Sequence, residues 1–138
     1  MVALTPTQDK YLPYVLAVAL FMQILDATIL NTSLPQMAQA LGESPLQMQW
    51  AVISYALTLA IFIPISGFLA DKYGTRRVFL SAIIIFCIGS ILCAASPTLD
   101  FLIGSRIVQA IGGAMMTPVA RLILVKSYPR NKLLTVMN

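Results

Sequence analysis

The sequence predicts an all-α integral membrane protein with four transmembrane helices. Three observations carry that reading. The chain is 59% hydrophobic and only 10% charged, with a mean hydropathy of +0.86, whereas soluble domains hold roughly 25% charged residues. Long stretches are free of charge: residues 44–70 and 78–99 carry none, and between Lys10 and Glu43 the only charge is Asp26. The basic residues gather in alternate turns instead of being spread over a surface.

A span needs about 20 predominantly apolar residues. The first is read over residues 12–34, after a polar segment at 1–11, with Pro35 near its end where a break is tolerated. GESPLQ then forms a short loop. The second span covers residues 49–70, with Trp50 at its edge, where an indole suits the interface, and Pro64 as a kink point. The third covers 78–95, SPTLD makes the next turn, and the fourth covers 99–125. Together these spans make residues 12–125 the membrane part. Residues 126–138 form a basic loop whose LLTVMN reads as the start of a further helix. The chain therefore reads as the N-terminal part of a longer transporter, with a complete four-helix protein as the alternative.

Topology follows from the loops. With the N-terminus inside, Lys10, Lys72, Arg76, Arg77, Arg121, Lys126, Arg130 and Lys132 all lie on the cytoplasmic side, eight of the nine basic residues. The ninth, Arg106, is inside the membrane, and the outer loops hold Glu43 and Asp100. The net charge of +4 thus reports orientation and gives no indication of nucleic-acid binding. The first apolar run is longer than a signal-peptide core of about 7–15 residues, so it is read as retained. Cys87 and Cys93 are six positions apart, about 240° around a helix, and are read as packing residues that do not pair. Absence of histidine removes the commonest general base and metal ligand.

Two charges within the spans require an explanation, because an ionisable side chain in hydrocarbon costs a few kcal/mol. Counting helix rise from the span ends sets Asp26 about 21 Å and Arg106 roughly 20 Å from the inner edge. On a helical wheel Gln23, Asp26 and Ser33 share an arc of about 80°, and Arg106, Gln109, Ala110, Gly113 and Thr117 a stripe about 100° wide. The two faces are expected to meet. A guanidinium favours an ionised neighbour and dehydration favours the neutral acid, so water access decides which form of Asp26 prevails. Arginine keeps its proton, which makes Asp26 the proton carrier of the two. The alternative is a static ion pair that fixes helix packing. Ser54 and Thr58 either face a cavity or bond their own backbone. The seven methionines, Met115 and Met116 among them, suit either a greasy pocket or core filling.

The run GFLADKYGTRR, residues 67–77, resembles the signature loop between the second and third helices of the major facilitator superfamily, G-x-L-A-D-R-x-G-R-K. LDATILNTSLP, residues 25–35, resembles the first-helix motif of its drug:proton antiporters, in particular the branch with fourteen helices. RIVQAIGGA, residues 106–114, is similar to their fourth-helix motif, R-x-x-Q-G-x-G-x-A. Thr75 stands where the loop motif often has arginine, and Ala110 replaces the first glycine of the fourth-helix motif.

The resemblance implies the first four helices of a six-helix bundle in the cytoplasmic membrane. It also implies proton-driven export of drugs or other lipophilic or cationic compounds, without nucleotide or metal. Its partners would be the substrate, protons, the lipid bilayer and the remaining helices. The coupling residues would be Asp26, Arg106 and Gln109, and the cavity candidates Gln23, Asn31, Ser54, Thr58 and Gly113. Gly67, Asp71, Gly74, Arg76 and Arg77 would form a conformational switch loop, with Asp71 latched to the other half of the transporter. Near the negative end of its own helix dipole, Asp71 needs a partner, and Lys72, Arg76, Arg77 and Arg121 are the local candidates. Gly67 and Gly74 would let helices approach closely. A sugar or metabolite permease of the same superfamily, a homodimeric four-helix exporter and a truncated, non-transporting membrane protein remain as other readings.

Overall fold

The computed structural model describes residues 6–137, so residues 1–5 of the polar start and residue 138 lie outside the described residues. The described residues form five helices: α1 (Pro6–Leu41), α2 (Pro45–Tyr73), α3 (Thr75–Ala94), α4 (Leu99–Ser127) and α5 (Arg130–Met137). The first four are long and apolar enough to cross a membrane.

Each junction has a local cause. Ser44 caps α2: its Oγ accepts from the Gln47 backbone N–H at 3.2 Å, while Gln47 Oε1 accepts from the Ser44 N–H at 3.2 Å. Pro45 follows at the first helical position, where its missing N–H is no loss. Gly74 joins α2 to α3 with φ 92°, a conformation that glycine reaches at little cost. Thr98 caps α4 by accepting from the Phe101 N–H at 3.3 Å, and Asp100 in the first turn suits the positive end of the helix dipole.

Helix ends differ from the sequence reading. The first helix does not stop near Pro35 but runs through it to Leu41, for 36 residues. Proline removes only one backbone bond, and membrane helices accommodate that locally. At 1.5 Å per residue this helix is about 54 Å long, more than a hydrocarbon core of about 30 Å. Within GESPLQ only residues 42–44 are outside helix, because the Ser44–Gln47 pair starts α2 earlier than hydropathy indicates. Residues 130–137 of the basic tail are helical, with a break at Tyr128 and Pro129.

α4 is the hub. In its most apolar window 56% of residues are buried, against 11% in α1. Two apolar clusters bracket the middle of the bundle. At the end that carries the α2–α3 turn, Leu16 and Ala19 of α1, Ala70 of α2, Phe79, Ala82 and Phe86 of α3, and Met116, Val119 and Ala120 of α4 pack together. At the opposite end Ala38, Met48, Ala51 and Leu102 form the second cluster. Met48, Met115 and Met116 are buried within these clusters, as core filling requires.

Two glycines bring α3 and α4 together. A Cβ on Gly89 would lie 2.6 Å from the backbone of Gln109, and one on Gly112 would lie 2.6 Å from the Ala82 carbonyl and the Phe86 nitrogen. Without them the helices could not approach so closely, and small residues at such crossings are what dispersion packing in a bilayer exploits. A Cβ on Gly67 or Gly74 meets nothing within 4 Å; among the described residues these two glycines seat no neighbouring helix.

Gly112→Val is expected to destabilise the bundle by about 1–3 kcal/mol, the usual penalty of overpacking, whereas Gly104→Val, at a site with open space around it, should be nearly neutral. Thermal unfolding in detergent of both variants checks this, and equal melting temperatures would refute the contact as the reason for glycine.

Candidate functional site: a polar layer between two apolar clusters

Between the two clusters the four spans turn polar. α1 contributes Gln23 and Asp26, α2 Tyr55, α3 Ser90 and Cys93, and α4 Arg106, Gln109, Gly113 and Thr117. On α4 the sequence R-I-V-Q-A-I-G-G sets Arg106, Gln109 and Gly113 at helical spacings of three and four, so they stack along one face. On α1 Gln23 and Asp26 are three apart and face them.

The expected meeting of the two charges is present. Arg106 Nη1 donates to Asp26 Oδ2 at 2.8 Å, and the same nitrogen donates to Gln109 Oε1 at 2.7 Å. Arg106 is 3% exposed and Asp26 22%, so the guanidinium is sealed while the carboxylate retains a path to the surroundings. Gln109 is fully buried. Its Nε2 donates to Ser90 Oγ at 2.8 Å, and its Oε1 also lies 3.5 Å from Cys93 Sγ, which donates to it. Both amide atoms of Gln109 are therefore used, and they tie the ion pair to α3.

Gln23 makes the second link between α1 and α4. Its Nε2 donates to the Gly113 carbonyl at 3.2 Å and its Oε1 accepts from Thr117 Oγ1 at 3.3 Å. Gly113 leaves room for this: a Cβ there would come within 3.0 Å of the Tyr55 hydroxyl and 3.2 Å of Gln23 Nε2. A recess of about 400 Å³ opens beside the layer between α1, α2 and α4, lined in part by Gln23, Tyr55, Thr117 and Arg121. A second groove, of about 440 Å³, lies at the end of the α2–α3 turn between α1, α3 and α4 and includes no residue of the polar layer.

Not every cavity candidate joins the layer. Ser54 donates to the Ala51 carbonyl at 3.1 Å and Thr58 to the Ser54 carbonyl at 2.7 Å, so both hydroxyls are spent on their own helix. Asn31 is exposed and stands apart from Asp26 on the α1 wheel. In the turn, Asp71 is exposed and lies 3.8 Å from Lys126 of α4, a pair worth about 0–1 kcal/mol at such exposure. Its partner is thus none of the four basic residues expected from the sequence; Lys72 instead stands over the rings of Phe68 and Tyr73, at 5.8 and 5.4 Å. Arg76 and Arg77 are exposed at the start of α3.

Ser90, which the sequence reading did not single out, and Cys93, expected only to pack, join the layer, and so does Tyr55. Its ring centroid is 3.9 Å from Arg106 Cζ. Among the described residues no cluster of three or more Cys, Asp or Glu side chains is placed to hold a metal ion.

Ionisable residues within membrane spans are rare and, as a rule, mark solute or ion pathways. Residues 16–138 match the Major Facilitator Superfamily, and the chain belongs to that family of transporters. It is 56% identical over 124 residues to a putative multidrug resistance protein MdtD of Serratia proteamaculans, an alignment covering 90% of this chain and 26% of that protein. A protein of the same description from Yersinia enterocolitica is 53% identical over 124 residues, with the same coverage. One from Cronobacter sakazakii is 48% identical over 132 residues, covering 96% of this chain and 28% of its own length. The chain thus spans about a quarter of the length of the curated relatives it matches.

Replacing Gln109 by Leu would strand Ser90 and remove one acceptor from the buried guanidinium, a loss of about 1–3 kcal/mol. Ser54→Ala, which removes only a bond within one helix, should change stability by less than about 0.5 kcal/mol. Denaturation of the two variants in mixed micelles compares them directly, and a Gln109→Leu protein as stable as the parent would show that the amide network carries no load.

Proposed function

We propose that the chain forms the first four helices of a proton-coupled exporter of drugs or other lipophilic and cationic compounds, of the branch with fourteen helices. The N-terminus and the α2–α3 turn lie on the cytoplasmic side of a bacterial inner membrane, as the distribution of basic residues favours. The observation that carries this reading is the 2.8 Å contact between a sealed arginine and a carboxylate that retains 22% exposure. The relatives' description as multidrug resistance proteins supports the substrate class.

The mechanism follows from the chemistry of the pair. With Asp26 ionised, its attraction to Arg106 holds α1 against α4. When a proton reaches the exposed side of the carboxylate, Asp26 becomes neutral and that attraction falls to a hydrogen bond, while Arg106 keeps its charge. The α1–α4 contact is thereby weakened by several-fold in a region of low dielectric constant. A cationic substrate that reaches the exposed side of Asp26 competes for the same carboxylate, so proton and substrate exclude one another there. Rocking of this half of the transporter against the other would then expose the site to alternate sides. Gln109, itself fixed by Ser90, gives the guanidinium one acceptor that does not change with the state of Asp26. Asp71 with Arg76 and Arg77 would act at the turn, where the remaining helices dock.

In everted vesicles from cells that express the complete reading frame, Asp26→Asn should abolish uphill, proton-driven substrate accumulation, by about a hundredfold or more. It should leave downhill substrate exchange measurable, because only the proton step is removed. A variant that still accumulates substrate against its gradient would reduce the pair to a brace.

A further inference from the structure

The ion pair is held on a side that the proton-exchange reading does not use. The ring of Tyr55 lies with its centroid 3.9 Å from the central carbon of the Arg106 guanidinium, which is cation–π contact at close range. Tyr55 is 7% exposed, so the contact is largely out of water. Two further observations point to the ring as the working part. The Tyr55 hydroxyl makes no hydrogen bond of good geometry among the described residues, although the Gln23 side chain lies beside it, and Arg106 Nε has no partner there. The ring does not replace the missing in-plane acceptor of Nε; what it offers the buried cation is its negative face. Gly113 is what allows this placement, since a side chain there would meet the Tyr55 hydroxyl at 3.0 Å.

We propose that Tyr55 is a positioning residue whose ring face holds the Arg106 guanidinium in the polar layer during the interval when Asp26 is neutral. The proposal rests on the proton-exchange reading for that interval. Each time Asp26 takes a proton, Arg106 loses its counter-charge while remaining almost fully buried. Gln109 offers one acceptor, which does not neutralise a cation. The negative face of the ring is the remaining compensation, and it does not depend on the protonation state of Asp26. Without it, the guanidinium would leave the layer in search of water or another anion, and it would not be waiting for the carboxylate when the proton departs. The ring carries this role and the hydroxyl does not.

The test uses the complete transporter, purified in detergent and assayed in proteoliposomes. Asp26→Asn fixes the neutral state at position 26. Tyr55→Leu should lower the melting temperature about twice as much in the Asp26→Asn background as in the parent, because only there is the ring the main compensation. It should also slow transport in the parent by about tenfold, with Tyr55→Phe restoring most of that loss. Fluorinated phenylalanines at position 55 drain π density at nearly constant shape, and serve if the Leu variant does not fold; in the Asp26→Asn background their melting temperatures should fall in step with fluorine number. A Leu penalty equal in the two backgrounds, a Phe variant as impaired as Leu, or a flat fluorine series would overturn the proposal. The melting measurements need no proton coupling, so they judge the ring even if Asp26→Asn leaves accumulation intact and the exchange reading falls.

Discussion

The contact between Asp26 and Arg106 governs this structure because of where it is placed. Lipid tails are as apolar as leucine, so helices in a bilayer gain little from apolar contact alone and depend on fit and on polar links. α1 illustrates the point. Val15, Val18, Phe21, Ile24 and Ile29 are exposed along its length, and besides the packing of Leu16, Ala19 and Ala38 its polar links to α4 are the ion pair and the two hydrogen bonds of Gln23. A charge pair in low dielectric is strong when made and costly when halved. The least buried of the four spans thus has, among its links to α4, one that a proton can change.

The α3–α4 contact has the opposite character. Gly89 and Gly112 admit backbone to backbone at distances that no side chain allows, and Phe86 and Gln109 are fully buried around them. Among the described residues, Gly89, Gly112 and Phe86 at the closest approach carry no titratable group. The crossing provides a fixed wall against which Ser90 and Cys93 present their polar atoms to Gln109, and through Gln109 to Arg106. A rigid pair of helices thus carries the cation, and a loosely packed one carries the anion.

Much of this was legible in the sequence because charges in hydrocarbon are rare and helical periodicity is strict. The four spans, the facing polar arcs of α1 and α4, and the meeting of Asp26 with Arg106 all follow from those two facts. Tyr55 was not legible, since one aromatic among the apolar residues of α2 has no mark of polarity and its role depends on which way α2 is turned. The pairing of Asp71 with Lys126 was missed because it joins the α2–α3 turn to the far end of α4, and sequence proximity favoured Lys72 and Arg76. Helix ends were misplaced for a local reason. Pro35 reads as a stop, yet its single missing bond is tolerated, and the Ser44–Gln47 cap is a stronger signal than the hydropathy around it.

Gly74 has a mechanical consequence. It is the single non-helical residue between α2 and α3, at once the terminus of one and the origin of the other. A joint of one residue has no slack: if α2 swivels, α3 is dragged with it, and so is the α4 wall to which α3 is clamped. Three residues separate α1 from α2, by contrast, which leaves α1 free to shift on its own. The chain is therefore geared as one stiff three-rod block and one hinged rod, and the slip plane between them passes through the carboxylate.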